Sequence, residues 1–176
     1  MRYNISGFTH IGTARENNQD RILVQEQVFG EGTVDIEAVE QCFCGLTDGI
    51  GGNPAGDVAA QFVLERLVAW KENYDGISEE QLRAGLEQIN AELIAFGQQQ
   101  REYFGLSTTL VGLIIELEQY FILSAGDSPM WLLRHEMFYQ LTENQVINPY
   151  EKDSPLVSYF GGKEPELELQ FCHDLR

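Results

Sequence analysis

The stretch Phe43-Cys44-Gly45-Leu46-Thr47-Asp48-Gly49-Ile50-Gly51-Gly52-Asn53-Pro54-Ala55-Gly56-Asp57 is followed by a helical pattern that runs to Trp70. A short apolar run ends in a carboxylate and a Gly-rich turn follows. A helix starts behind that turn, with Asn53 as N-cap and Pro54 at the first helical position. Asp48 thus stands at the open end of a strand, where a side chain is available for chemistry. Gly49, Gly51 and Gly52 let the backbone come close to whatever Asp48 holds. A carboxylate there repels a bare phosphate but attracts a divalent cation, which can carry a phosphate on its far side. The turn therefore reads as a metal site before it reads as a nucleotide cradle.

Upstream of this stretch, Tyr3 to Ile11 alternates weakly as a strand, Gly12 to Gln19 is polar and turn-like, and Arg21 to Phe29 carries Ile22, Val24 and Val28 on one side. Gly30-Glu31-Gly32 reads as a turn, and a further strand pattern from Val34 to Leu46 becomes continuously apolar toward Asp48. Downstream, Val58, Ala59, Phe62, Val63, Leu67 and Trp70 form the buried stripe of one helix. Asn73 to Gly76 breaks it, and Ser78-Glu79-Glu80-Gln81 has the form of a capping box that opens a second helix reaching about Phe96. Thr108 to Leu117, Tyr120 to Ser124 and Met130 to Leu141 are strand patterns, with turns at Glu118-Gln119 and Gly126-Asp127-Ser128 and a tight hairpin at Arg134-His135-Glu136. Strands so closely spaced pair antiparallel, and Leu167 to Cys172 reads as one more.

The 176 residues suit one domain large enough to bury a core without staples. An apolar share of 43% gives no case for long disorder. Eleven basic against 28 acidic residues, a net charge of −17, argue against a nucleic acid or an anionic membrane as partner. No signal core or membrane-length apolar window stands out, which points to a reducing, cytoplasmic setting. Cys42 and Cys44 fall on one face of one strand and read as neighbouring core positions rather than as a disulfide or redox pair.

Asp20, Asp48 and Asp127 each lie at the end of an expected strand beside a turn, the kind of oxygen ligand hard cations take. Arg15, five residues before Asp20, offers a fork of donors to a phosphate. Singly, an Asp beside Gly is turn chemistry and an Arg in a loop is solvated; the joint placement is what points to a site. His10, His135 and His173 have no Ser or Cys elbow beside them, and the order helix, helix, strand, strand after the glycine turn does not fit a dinucleotide fold.

These residues resemble the type 2C metal-dependent serine/threonine protein phosphatases of the compact bacterial kind. The resemblance is carried by Gly12-Thr13-Ala14-Arg15-Glu16-Asn17-Asn18-Gln19-Asp20, by Thr47-Asp48-Gly49-Ile50-Gly51-Gly52 with Ala55-Gly56, by Ser107-Thr108-Thr109-Leu110, by Ala125-Gly126-Asp127-Ser128 and by Gln140-Leu141-Thr142. It implies an α+β fold, a sandwich of two antiparallel β-sheets flanked by helices in four αββα layers. It also implies two Mg²⁺ or Mn²⁺ ions, with a third weaker one. By matching position, Asp20 and Asp48 are catalytic metal ligands, Asp48 bridging both ions, the Gly49 carbonyl binds one ion, Asp127 serves the third, and Arg15 holds the substrate phosphate. A pair of ions roughly 3.5–4 Å apart acidifies a shared water and neutralises phosphate charge, so no protein nucleophile is required. The implied partners are a phosphoprotein substrate and a cognate serine/threonine kinase.

The family's Glu stands as Gln19 here, the Arg that often follows Gly-Asp-Ser is Pro129, and an expected Asp-His pair is Asn144-Gln145. Two later Asp motifs of the family have no counterpart before Arg176, and Asp153 and Asp174 do not lie in matching contexts. The expectation is a single phosphatase-like domain over 1–176, incomplete at its C-terminal side. It is either the N-terminal part of a phosphatase or a catalytically impaired, phosphatase-like binding module. Exposed sheet edges in such a chain predict a homodimer.

Overall fold

The structure, a computed structural model, describes residues 1–50, 55–74, 76–116, 119–163 and 167–172. In chain order its elements are β1 (Tyr3–Thr9), β2 (Asp20–Val24), β3 (Gln27–Phe29), β4 (Gly32–Val39), β5 (Cys42–Asp48), α1 (Gly56–Lys71) and α2 (Glu79–Gln99). A 3-10 turn at Arg101–Tyr103 leads to β6 (Ser107–Thr108), β7 (Leu110–Glu116), β8 (Gln119–Ala125), β9 (Trp131–Arg134), β10 (Met137–Gln140), β11 (Phe160–Gly161) and β12 (Gln170–Cys172). Six strands form one antiparallel sheet in the order β12-β8-β7-β5-β2-β3, and β1-β4, β9-β10 and β6-β11 form separate antiparallel pairs.

Alternation along the central strands decides what each face meets. Leu23, Phe43, Leu110, Ile114, Phe121 and Leu123 turn toward the helices and join Ala59, Val63, Leu67, Leu86 and Leu93 in the main core. Val24 and Cys42 turn the other way and join Ile5 of β1, with Val34 and Ile36 of β4 packed alongside. Both faces are covered, so β7 and β8 read as nearly continuous apolar runs. The layers are helices, main sheet and second sheet, an α+β sandwich; the helical layer expected beyond the second sheet has no counterpart among the described residues. No helix is long and apolar enough to cross a membrane among those residues.

Helix α2 opens on the capping box expected from Ser78 and Gln81, each side chain bonding the other's backbone N–H, and runs on to Gln99. Leu82, Leu86, Ile89 and Leu93 form its buried stripe. Gly85 lets Trp70 of α1 lie against its backbone: a Cβ there would meet the indole at 2.3 Å. Helix α1 starts at Gly56 with Ala55 in the capping position and no side-chain cap. The expected Asn53 cap and Pro54 start lie outside the described residues, as do Gly51 and Gly52, Glu118 of the expected turn, and His173 and Asp174.

Two expected strands are each two. The pattern from Arg21 to Phe29 is a hairpin, β2 and β3, that turns at Gln25, whose φ is +58°. The Gln25 side chain accepts from Phe43 N–H and donates to the Gln41 carbonyl, bonding β5 where β2 turns away. The pattern from Val34 to Leu46 divides at Glu40-Gln41 into β4 of the second sheet and β5 of the main one. The hairpin at His135-Glu136 is as expected, both residues at positive φ.

Candidate active site

Strand β2 begins where the polar loop after β1 ends, and Asn18 fixes that junction. Its side-chain amide donates to Thr9 Oγ1 and the Gly30 carbonyl, both at 2.8 Å, and its oxygen accepts the Asp20 N–H at 3.1 Å. Arg21 holds the same corner from the helix side, donating to the Asn18 and Asp20 carbonyls and to Gln61, with Asp57 3.8 Å away. The carboxylate of Asp20 is thereby set at the first residue of its strand.

Strand β5 presents the matching group at its last residue. In the antiparallel register of β2 and β5, Asp20 lies directly opposite Asp48, which puts their side chains on one face. The backbone of Asp48 is clamped by the next segment. Its N–H donates to Thr109 Oγ1 at 3.0 Å, its carbonyl accepts from Thr109 N and Thr108 Oγ1, and Thr109 Oγ1 also contacts Ser128 Oγ at 2.9 Å. Gly49 continues the clamp through its N–H to the Gln19 carbonyl. A Cβ on Gly49 would meet the backbone of Gly56 at 2.4 Å, so the start of α1 rests directly on this residue.

A cleft of about 710 Å³ opens over these strand ends, and Arg15, Asp20, Asp48, Gly49 and Asp127 all line it. All five residues singled out in the sequence thus meet at one place. His10, Thr109, Asp153 and Ser154 line it as well. Thr109 stood in a quoted segment without a role, and its signal was its place between two strands. Asp153 had no motif signal; its approach to the cleft is tertiary.

The electrostatics of the pair are unfavourable as they stand. Asp48 keeps access to solvent as a residue, yet desolvation of its carboxyl is the largest influence on it. The charge of Asp20, a hydrogen bond donated to Asp20 and the charge of Asp127 act in the same direction. Together they raise its pKa from 3.8 to about 6, with Arg15 opposing. Two carboxylates in contact need either a shared proton or a cation. Among the described residues no group of three or more His, Cys, Asp or Glu side chains forms a metal cage on its own. What the cleft offers is an acidic pair with Asp127 acting on it at longer range, a donor set of oxygens. Such a set fits a hard divalent cation that takes its remaining ligands from carbonyls, water and a bound phosphate.

No family model matches the chain. The serine/threonine phosphatase Stp of Listeria monocytogenes is 35% identical over 144 residues, which are 79% of this chain and 53% of that protein. Among solved structures, the serine/threonine phosphatase Stp1 from Staphylococcus aureus aligns with a TM-score of 0.77 at 23% identity, over 98% of this chain and 72% of that one. The catalytic domain of the phosphatase PstP, solved in complex with two manganese ions, aligns with a TM-score of 0.71 over the same shares. The sandwich is the fold of these solved phosphatases, and the PPM serine/threonine phosphatase MsPP from Mycobacterium smegmatis shares it with a TM-score of 0.74 at 18% identity. In sequence the chain is similar to bacterial serine/threonine phosphatases, and its fold is the one that the solved phosphatases share. It spans about half the length of the curated relative it matches.

Proposed function

We propose that the protein is a metal-dependent serine/threonine protein phosphatase, and that the facing carboxylates of Asp20 and Asp48, with Arg15 on the same cleft, are the working part of its site. The observation that carries this reading is the Asp20–Asp48 contact, an acidic pair that burial and mutual charge leave in want of a cation. Asp20, Asp48 and the Gly49 carbonyl would hold two Mg²⁺ or Mn²⁺ ions, with Asp127 serving a weaker third. When bound, such ions supply neutralisation of the phosphate charge and a water acidic enough to serve as nucleophile. Arg15 orients the phosphoryl group by charge-assisted hydrogen bonds and offsets part of the developing negative charge. Thr109 and Asn18 act through the backbone, holding Asp48 and Asp20 in register.

The substrate class is then a phosphoserine or phosphothreonine protein in the cytoplasm, modified by a serine/threonine kinase. Support for the manganese choice comes from the PstP complex alone. Among the described residues the edge strands β3 and β12 each pair on one side, so association of two copies through an edge is part of the proposal, and light scattering that shows only monomer rejects that part. The second reading is a phosphatase-like binding module without turnover, favoured by the lack of a self-sufficient three-residue metal cage among the described residues.

One assay separates the two. Hydrolysis of p-nitrophenyl phosphate and of a phosphothreonine peptide is measured with Mn²⁺ and with chelator, for the chain as it is and for Asp48→Asn. Turnover that requires metal and disappears in Asp48→Asn supports the enzyme. Absent turnover, or turnover indifferent to metal, supports the module.

A further inference from the structure

Cys42 and Cys44 stand outside the cleft and have no part in the proposed chemistry. They occupy alternate positions of β5, so both side chains leave the same face of the main sheet, toward β1 and β4. Their sulfurs are 3.1 Å apart. Cys42 is buried at 4% exposure beside Ile5 and Val24, while Cys44 is half-buried and lines a separate groove between the sheets, with Gly7, Phe8, Leu46 and Trp131 along it. Cys44 thus borders the groove, and Cys42 lies behind it in contact with its sulfur. The third cysteine, Cys172, sits three strands away in the lateral row Cys44, Leu113, Ile122, Cys172. At the spacing of neighbouring strands that is roughly 14 Å, too far to compete within one chain.

We propose that Cys42 and Cys44 form a dithiol that a peroxide converts reversibly into a disulfide within β5. Either thiol can donate across this contact, and with the S–H of Cys44 as donor the bond favours the thiolate of Cys42 against the effect of its burial. That thiolate attacks one oxygen of the peroxide; the O–O bond breaks, the other oxygen leaves as alkoxide or hydroxide and takes up a proton, and Cys42 becomes a sulfenic acid. The Cys44 sulfur then attacks the Cys42 sulfur, the S–S bond forms and water departs. In sum, two thiols and one peroxide give one disulfide, one water and one alcohol or second water, with the peroxide reduced by two electrons. Residues i and i+2 of an extended strand have Cα atoms roughly 6.6–6.8 Å apart, the long end of what a disulfide spans. The closed form is therefore strained and readily reduced, as suits a reversible modification and not a structural staple.

The test uses the whole chain, reduced, then exposed to hydrogen peroxide, alkylated and digested with trypsin. Both cysteines fall on the single peptide 22–66, and Cys172 falls on another, 164–176. The expected result is a peptide 22–66 lighter by two hydrogen atoms and unalkylated, a fall in titratable thiols from three to one, and full recovery with dithiothreitol. In Cys44→Ser the reaction stops at a sulfenic acid on Cys42 that dimedone traps. The proposal is overturned if all three thiols survive peroxide treatment that oxidises free cysteine, or if the loss appears as Cys172 adducts or cross-linked chains. The mass measurement on the unaltered chain decides even if the variant does not fold.

Discussion

Asp20 faces Asp48 across two adjacent strands, one at the first residue of β2 and the other at the last residue of β5. Burial of the Asp48 carboxyl, and after it the charge of Asp20 opposite, push its pKa up from 3.8 to about 6.

That shift fixes the sign of a stability change. A carboxyl whose folded pKa lies above its unfolded value favours the folded state at low pH, and the favour is lost as pH rises from about 4 through about 6. In chelator, Asp48→Asn is therefore more stable than the parent at pH 7.5. Solvent screening of an exposed site limits the gain to about 1 kcal/mol, roughly 2–4 °C in Tm. The difference vanishes near pH 4. Thermal melts followed by circular dichroism across this range check it, and a less stable variant at pH 7.5 contradicts it.

The Gly49–Gly56 contact predicts a stability loss unrelated to charge. In Gly49→Ala the new Cβ meets backbone at 2.4 Å, whereas in Gly56→Ala the nearest atoms are at 3.0–3.1 Å and include the movable Gln19 side chain. Gly49→Ala should cost about 2–3 kcal/mol and Gly56→Ala distinctly less. Urea titrations of both variants rank them.

These two contacts also show what the sequence made legible. Asp48 was visible because its signal is local, an apolar run stopped by a carboxylate and glycines; the Ser78 cap was visible because it closes within four residues. The turns at Gln25-Glu26 and Glu40-Gln41 were not, because they contain no Gly, Pro, Asn or Asp and the flanking apolar pattern runs through them. Asn18 and Thr109 were within quoted segments, but their hydrogen bonds to Asp20 and Asp48 depend on strand register. Asp153 reaches the cleft only through the packing of the segment after β10.

Thr109→Val keeps the shape of a buried side chain and removes the acceptor of the Asp48 N–H and the partner of Ser128. An unsatisfied backbone N–H is expected to lower stability by about 1–3 kcal/mol, and metal affinity should fall with it because Asp48 loses its clamp. Thr109→Ser retains the hydroxyl and should recover most of both. Equal behaviour of the Val and Ser variants in melts and Mn²⁺ titration would show that the hydroxyl is idle.

Arg15, proposed above to hold the substrate phosphate, also acts on Asp48, since its charge opposes the upward shift of that carboxyl. Removing it in Arg15→Ala should raise the KM for p-nitrophenyl phosphate about tenfold, the worth of one charge-assisted contact. The acid limb of the pH profile should move upward, with Arg15→Lys intermediate. Steady-state kinetics between pH 5 and 8 would expose an unchanged KM if the residue is only solvated.

The most direct measurement is a calorimetric titration of Mn²⁺ into the chelator-treated chain at pH 7.5, repeated with Asp20→Asn and Asp48→Asn. Saturable binding that either substitution weakens by at least about tenfold is the expected result. Binding of equal affinity in all three proteins, or none in the parent, would mean that the facing carboxylates are not a cation site.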